Sequence, residues 1–107
     1  MTTLYRAVSQ QEKEDIELHK SFRISRNTLE AKQFFKRRMS VVQFVANSLI
    51  QQYEPAYVYL IKISIDDTCF DTSKHIRKLD GYDAVHIDEE DLPAFNKCVK
   101  FVKQESL

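Results

Sequence analysis

The sequence contains very little glycine: Gly81 is the only one in 107 residues. Phosphate-binding loops of the P-loop and GxGxxG types need several glycines, because their backbone turns tightly and approaches the phosphates closely. The composition therefore excludes both kinds of loop. Any nucleotide bound by this chain would be held by side chains or by a different backbone geometry.

Cysteine is also scarce, and the two cysteines, Cys69 and Cys98, form neither a CxxC nor a CxH pattern. Two cysteines are too few for a disulfide scaffold. We therefore expect two reduced thiols in a cytoplasmic protein, with secretion as an effector left open. The histidines do not lie at metal-ligand spacing from a cysteine or from one another, so no metal site is predicted. They are His19, His75 and His86.

The chain has no excess of either charge: sixteen basic residues balance sixteen acidic ones, and the formal net charge is +0. Proteins that bind nucleic acid without sequence preference usually carry a basic excess. We therefore expect no nonspecific binding of nucleic acid. Long hydrophobic runs are missing as well, so the sequence predicts neither a membrane span nor a signal peptide.

What the chain does contain fits one small globular domain over residues 1–107, with a hydrophobic fraction of 43%. Residues 3–8 have the composition of a strand. A capping box that begins at Ser9 predicts a helix to about residue 20. A second capping box begins at Ser40 and predicts a helix that ends at Pro55.

The remaining elements follow from composition and periodicity. Residues 56–66 are rich in β-branched and aromatic side chains and form the clearest strand. Two shorter strands are predicted at 32–35 and 82–87, a short helix around 73–78, and a closing helix over 93–103. The order β-α-β-α-β-β-α predicts an α+β fold, with flanking helices on a small mixed β-sheet.

Arg6 interrupts the otherwise apolar first strand. A guanidinium at such a position needs a paired charge or a water-filled cleft. Alternatively, Arg6 faces outward on an alternating strand, between inward-facing Tyr5 and Ala7. The sequence leaves both interpretations open.

Four stretches of the chain resemble a known family: LYRAVS near the start, FRISRNTLEAKQFF, LDGYDAVHI and LPAFN. They are similar to the small bacterial ADP-ribosyltransferase-like domains of polymorphic toxins. The resemblance extends from Leu4 to about Asn96. It implies an ADP-ribosyltransferase-like fold and NAD as the substrate. It also implies an unidentified macromolecular acceptor or protein partner.

The resemblance also implies a set of site residues. An arginine on the first strand of this family faces the NAD cleft, and Arg6 matches it, with a fork of donors suited to phosphate. A glutamate stabilises the oxocarbenium-like state as nicotinamide leaves. Its candidates are Glu89 and Glu90, with Glu30 as a third. The expected NAD contacts besides Arg6 are Asn27, Lys32 and Phe34, with Phe35 as an alternative to Phe34.

Three functions follow from these patterns. The first is an NAD-dependent, toxin-like ADP-ribosyltransferase. The second is a catalytically inactive binding module on the same fold, for which a homodimer through the 56–66 strand is one expectation. The third is an α+β domain without a nucleotide site. The carboxylate nearest Arg6 distinguishes them, because an open groove favours catalysis whereas a tight buried ion pair favours a structural role.

Overall fold

The computed structural model describes residues 1–23, 31–50, 56–79 and 81–107. This part of the chain forms six strands and three α-helices. One-turn 3₁₀ helices precede the fourth strand, at Thr72–His75, and the third α-helix, at Glu89–Asp91. In chain order the elements are β1 (Thr2–Val8), α1 (Gln10–His19), β2 (Lys32–Phe35), α2 (Arg38–Ile50), β3 (Tyr59–Ile65), β4 (Ile76–Leu79), β5 (Tyr82–Ile87), α3 (Leu92–Cys98) and β6 (Val99–Ser106).

The six strands form one sheet in the order β4-β5-β2-β1-β3-β6, and all five neighbouring pairs are antiparallel. The predicted α+β class is confirmed, but the sheet is antiparallel where a mixed sheet was predicted. The reason lies in the β2-α2-β3 connection. It joins two strands that run in the same direction, and β1 lies between them, so no parallel neighbours form.

Helices cover both faces of the sheet, so there are two hydrophobic clusters. On β1, Leu4 and Val8 belong to the cluster that contains residues of α1 and α3, whereas Ala7 belongs to the cluster under α2. This alternation follows from the two-residue period of a strand. The part of β1 near Ala7 and Val8 therefore lies under a helix layer on both faces.

The first predicted capping box forms in part. The hydroxyl of Ser9 accepts a hydrogen bond from the backbone N–H of Glu12 at 3.2 Å, which fixes the start of α1. The carboxylate of Glu12 binds other groups, described below. Helix α2 begins at Arg38, two residues before the predicted start, and Pro55 lies outside the described residues.

Two of the strands differ from the prediction. The short helix predicted around 73–78 is a 3₁₀ turn that leads into β4, which pairs with β5. The closing helix predicted over 93–103 ends at Cys98, and Val99–Ser106 is a strand on β3. A short apolar run fits the repeat of a helix as well as that of a strand. The segments that form β4 and β6 become strands because each pairs with the edge of a neighbouring strand. The 56–66 segment, predicted as a strand, is confirmed as β3.

The prediction of two reduced thiols is wrong, because Cys69 and Cys98 form a disulfide with a Cα–Cα distance of 5.8 Å. The cysteines are 29 positions apart in sequence. They meet because α3 returns to the segment that follows β3. No local motif encodes this approach, so the spacing of the cysteines could not predict it.

Candidate functional site around Arg6

Arg6 lies on the same face of β1 as Leu4 and Val8, with Ile61 of β3 as its cross-strand neighbour. Its guanidinium carbon is 5.7 Å from the centre of the Phe34 ring, a cation–π distance. Only 14% of the side chain is exposed. The interpretation of Arg6 as an outward-facing residue is therefore wrong, and its charge is paired within the protein.

The partner of the Arg6 guanidinium is the carboxylate of Glu12. Arg6 Nε donates to Glu12 Oε2 at 2.6 Å, and Nη2 donates to Glu12 Oε1 at 2.8 Å. Two parallel hydrogen bonds of this kind make the strongest arginine–carboxylate arrangement. Arg6 Nη1 donates to the backbone carbonyl of Gln33 on β2 at 2.9 Å. The arginine therefore joins α1 to the middle of the sheet.

Lys32 at the start of β2 binds the same carboxylate. Its Nζ lies 3.1 Å from Glu12 Oε1. The exposed fractions of the three side chains are between 11% and 18%. One carboxylate thus bridges two cations in a largely buried group, and we call Arg6, Glu12 and Lys32 the charged triad.

The triad shifts the pKa of its own members. Burial acts to raise the pKa of the Glu12 carboxyl, but Arg6 and Lys32 together outweigh burial and hold it below its ordinary value. Burial and then the charge of Arg6 lower the pKa of Lys32, against an opposing effect of Glu12. Glu12 therefore stays ionised in the fold at neutral pH.

Arg6 is singled out by its place in an apolar strand and Lys32 by the family resemblance. Neither indication extends to Glu12, because the capping box already accounts for a glutamate at that position. A usable signal was present. Arg6 precedes the helix-capping Ser9 by three residues, and Glu12 follows it by three. A strand that turns directly into a capped helix brings the first helical turn back over the strand end. A glutamate in that turn can then reach a strand arginine.

Phe34, predicted to contact NAD, lies in the core on the same face as the triad and is fully buried. Its ring meets that of Phe22 edge-on at 4.9 Å and that of Phe95 at 5.0 Å. Phe35 lies on the opposite face, in the cluster under α2. Asn27 and Glu30 lie outside the described residues, so their predicted roles stay predictions.

Glu89 and Glu90, the predicted catalytic pair, are exposed on the 3₁₀ turn between β5 and α3. Their turn follows Ile87, whose cross-strand neighbour is Lys32. The turn therefore starts at the same end of the sheet as the triad. The carboxylate that holds the Arg6 fork is nevertheless that of Glu12, and the catalytic role of Glu89 and Glu90 remains a prediction.

A second polar group lies on the opposite face of the sheet from the triad. Gln33 Nε2 is 2.6 Å from His86 Nδ1, and His86 Nε2 is 3.1 Å from Asp88 Oδ1.

Asp88, Glu90 and Asp91 bring one carboxylate oxygen each within 4.8 Å of one another. Oxygen ligands at such distances suit a hard divalent cation, although exposed acidic groups cluster in this way without one.

No protein-family model matches this chain, and searches of curated proteins and of solved structures found no match either. Among the described residues, no helix has both the length and the apolar content needed to cross a bilayer. The contacts of the chain itself are therefore the basis for inferring its function.

Proposed function

We propose that this protein is a catalytically inactive interaction module, which binds a protein partner and does not turn over NAD. The observation that carries this proposal is the position of the Glu12 carboxylate. It occupies the fork of Arg6 through two hydrogen bonds. That fork is the group that the family resemblance assigns to the dinucleotide.

The energetics of the triad support the proposal. A phosphate that entered the fork would displace Glu12 and leave a buried carboxylate with Lys32 as its remaining triad partner. Breaking one partner away from a buried ion pair costs about 3–5 kcal/mol. Since about 1.4 kcal/mol corresponds to a factor of ten, the competition would weaken phosphate binding roughly 100-fold or more.

An NAD-dependent, toxin-like ADP-ribosyltransferase is the competing proposal, and one observation favours it. Three of the predicted NAD contacts converge, since Arg6 and Lys32 share one carboxylate and Arg6 lies over Phe34. On this proposal Asn27 completes the NAD contacts, and Glu89 or Glu90 supplies the catalytic carboxylate. The protein would then transfer ADP-ribose to a macromolecular acceptor.

Titration with NAD separates the two proposals. Calorimetry at NAD concentrations up to about 1 mM, the weak end of specific affinities, should show no saturable binding. Incubation with NAD should release no nicotinamide above the buffer rate. Saturable binding that Arg6→Lys abolishes would overturn the inactive module, because lysine keeps the charge and loses the fork. Arg77→Lys is the matched control, since Arg77 is exposed on β4.

A further inference from the structure

Helix α2 carries an exposed apolar stripe on the side away from the sheet. Its members recur at spacings of three and four residues, which places them on one side of a helix. The four larger side chains are between 37% and 80% exposed. We call this surface the α2 stripe, and it consists of Met39, Val42, Ala46, Leu49 and Ile50.

The helix is therefore apolar on two sides. Val41 and Val45 face the sheet and are buried, and the α2 stripe lies on the outward side. A surface helix of a monomer normally presents charged and polar residues outward, and a helix that is apolar all round belongs in an interior. Contiguous exposed apolar surface of this kind marks an interaction site.

We infer that the α2 stripe is the contact surface between two copies of this chain, related by a two-fold axis. This inference rests on the proposed function as an interaction module and names its partner. The argument for a second copy comes from charge. Helix α2 contains no acidic residue, and its single basic residue, Arg38, pairs with Glu105 at 3.0 Å. Gln43 and Asn47 beside the stripe are uncharged.

An uncharged stripe offers nothing to select a charged partner, but it matches itself without like-charge repulsion. The formal net charge of +0 also removes the overall repulsion between copies. A two-fold interface requires a surface that is complementary to itself. The α2 stripe meets this requirement in composition.

The geometry of the stripe suits an antiparallel pair of helices. Ala46 is the smallest member and lies between the larger ones. With the two-fold axis at Ala46, that residue meets its own copy, and Val42 meets Ile50 at an equal offset of four residues. A small residue at the crossing point lets two helices approach within about 8–10 Å.

The area of the stripe predicts a weak dimer. Burying one aliphatic side chain of this size removes roughly 60–120 Å² of apolar surface from water, as about 1.5–3 kcal/mol at about 25 cal/mol per Å² implies. Because the four larger members are between 37% and 80% exposed in the single copy, they and the alanine bury roughly 350–650 Å² over both copies. This is below the standard interface of about 1,600 Å². We therefore expect a dissociation constant on the order of 100 µM.

Sedimentation equilibrium of the full chain tests the inference. From about 10 µM to about 1 mM, a range that brackets the expected constant, the mass should rise from 12.6 kDa towards twice that value. Ala46→Arg and Ala46→Glu should each raise the dissociation constant at least ~50-fold, because like charges meet at the axis. An equimolar mixture of the two should associate again. Both residues are good helix formers, so the fold should persist.

Asn47→Arg is the matched control, because it adds the same charge one position away on the exposed side beyond the stripe. It should leave the dissociation constant within about threefold, as expected of a charge at the rim of an interface. A wild-type chain that stays monomeric at about 1 mM would overturn the inference. So would a dimer that both Ala46 variants leave intact. Binding of the monomer to neutral phosphatidylcholine vesicles would assign the stripe to a membrane surface instead.

The outcome is separable from that of the NAD titration. A dimer with no NAD turnover supports both proposals. A monomer with no turnover overturns the α2 interface and leaves the inactive module standing. Turnover of NAD that Arg6→Lys abolishes overturns the inactive module, whatever the mass of the particle.

Discussion

The carboxylate of Glu12 on α1 holds the guanidinium of Arg6 on β1 through two hydrogen bonds, at 2.6 and 2.8 Å. These residues are six positions apart, and the turn between strand and helix brings them face to face. Lys32 joins the same carboxylate from the neighbouring strand β2. The pair thus links the first helix to the sheet, and its contribution to the stability of the fold can be measured.

Replacing Glu12 with Gln should destabilise the fold by about 3–5 kcal/mol, because two buried cations lose their counter-charge. The free energy of unfolding from urea denaturation measures this change. Glu17→Gln is the matched control on the same helix, since the Glu17–Lys13 pair is exposed on the Glu17 side. It should cost less than about 0.5 kcal/mol. Equal effects of the two variants would contradict a special role for Glu12.

Removal of both partners should cost less than the two single changes together. Glu12→Met alone takes the carboxylate away from both Arg6 and Lys32, whereas Arg6→Met combined with Glu12→Met takes it away from Lys32 alone. Removing one partner of a buried ion pair costs more than replacing both partners with hydrophobic residues. A double-mutant cycle should therefore give a coupling energy between about 0.5 and 3 kcal/mol. Additive effects would show that the two side chains act independently.

Stability should fall in acid partly through Glu12. The pKa of this carboxyl is lower in the fold than its ordinary value of 4.5. The unfolded chain therefore binds the proton first as pH falls. The contribution is complete above about pH 4.5 and is lost as pH falls through the lower folded value. Chemical denaturation between pH 7 and pH 2.5 should give a shallower decline below pH 4.5 for Glu12→Gln than for the wild type. Parallel curves would contradict this assignment.

Reduction of the Cys69–Cys98 disulfide should destabilise the fold by about 3–4 kcal/mol, the loop-closure value for cysteines 29 residues apart. The bond ties the end of α3, and so the start of β6, to the segment after β3. Thermal unfolding with and without dithiothreitol measures the effect. The Cys69→Ser, Cys98→Ser double variant serves as the control and should unfold at the same temperature in both buffers. A wild type that is insensitive to reductant would contradict the prediction.

Phe34 should matter for folding rather than for nicotinamide contact. Its fully buried ring packs on Phe22 and Phe95, so Phe34→Ala should cost about 3–5 kcal/mol. Phe101→Ala on the edge strand β6 should cost clearly less, because Phe101 is exposed. Urea denaturation of the two variants gives the comparison. A loss below about 1 kcal/mol for Phe34→Ala would leave its ring available for a ligand.

The sequence predicted that a homodimer could form by strand pairing through residues 56–66, but both edges of this strand are already paired within the chain. Strand β3 already pairs with β1 on one side and with β6 on the other. The sequence could not reveal this, because the β6 segment also fits a closing helix. A strand that pairs on both edges offers no free backbone groups to a second copy. The inferred dimer instead uses the exposed side of α2.

Local chemistry in the sequence determined much of the fold. The first capping box fixed the start of α1, and β-branched and aromatic residues marked β3, because both signals act within a few residues. The lone Arg6 in an apolar strand indicated either a paired charge near the sheet or an outward-facing side chain, and the sequence did not decide between them. Composition alone also excluded glycine-rich phosphate loops, since a chain with one glycine cannot form them.

Tertiary structure alone decided the rest. The pairing of Cys69 with Cys98 and the conversion of Val99–Ser106 into an edge strand each depend on which elements meet in space. Residues 29 or more positions apart exert no preference on one another until the chain has folded. Short-range patterns therefore indicate helices and strands in this protein, and only the packing of these elements determines which thiols and strand edges become partners.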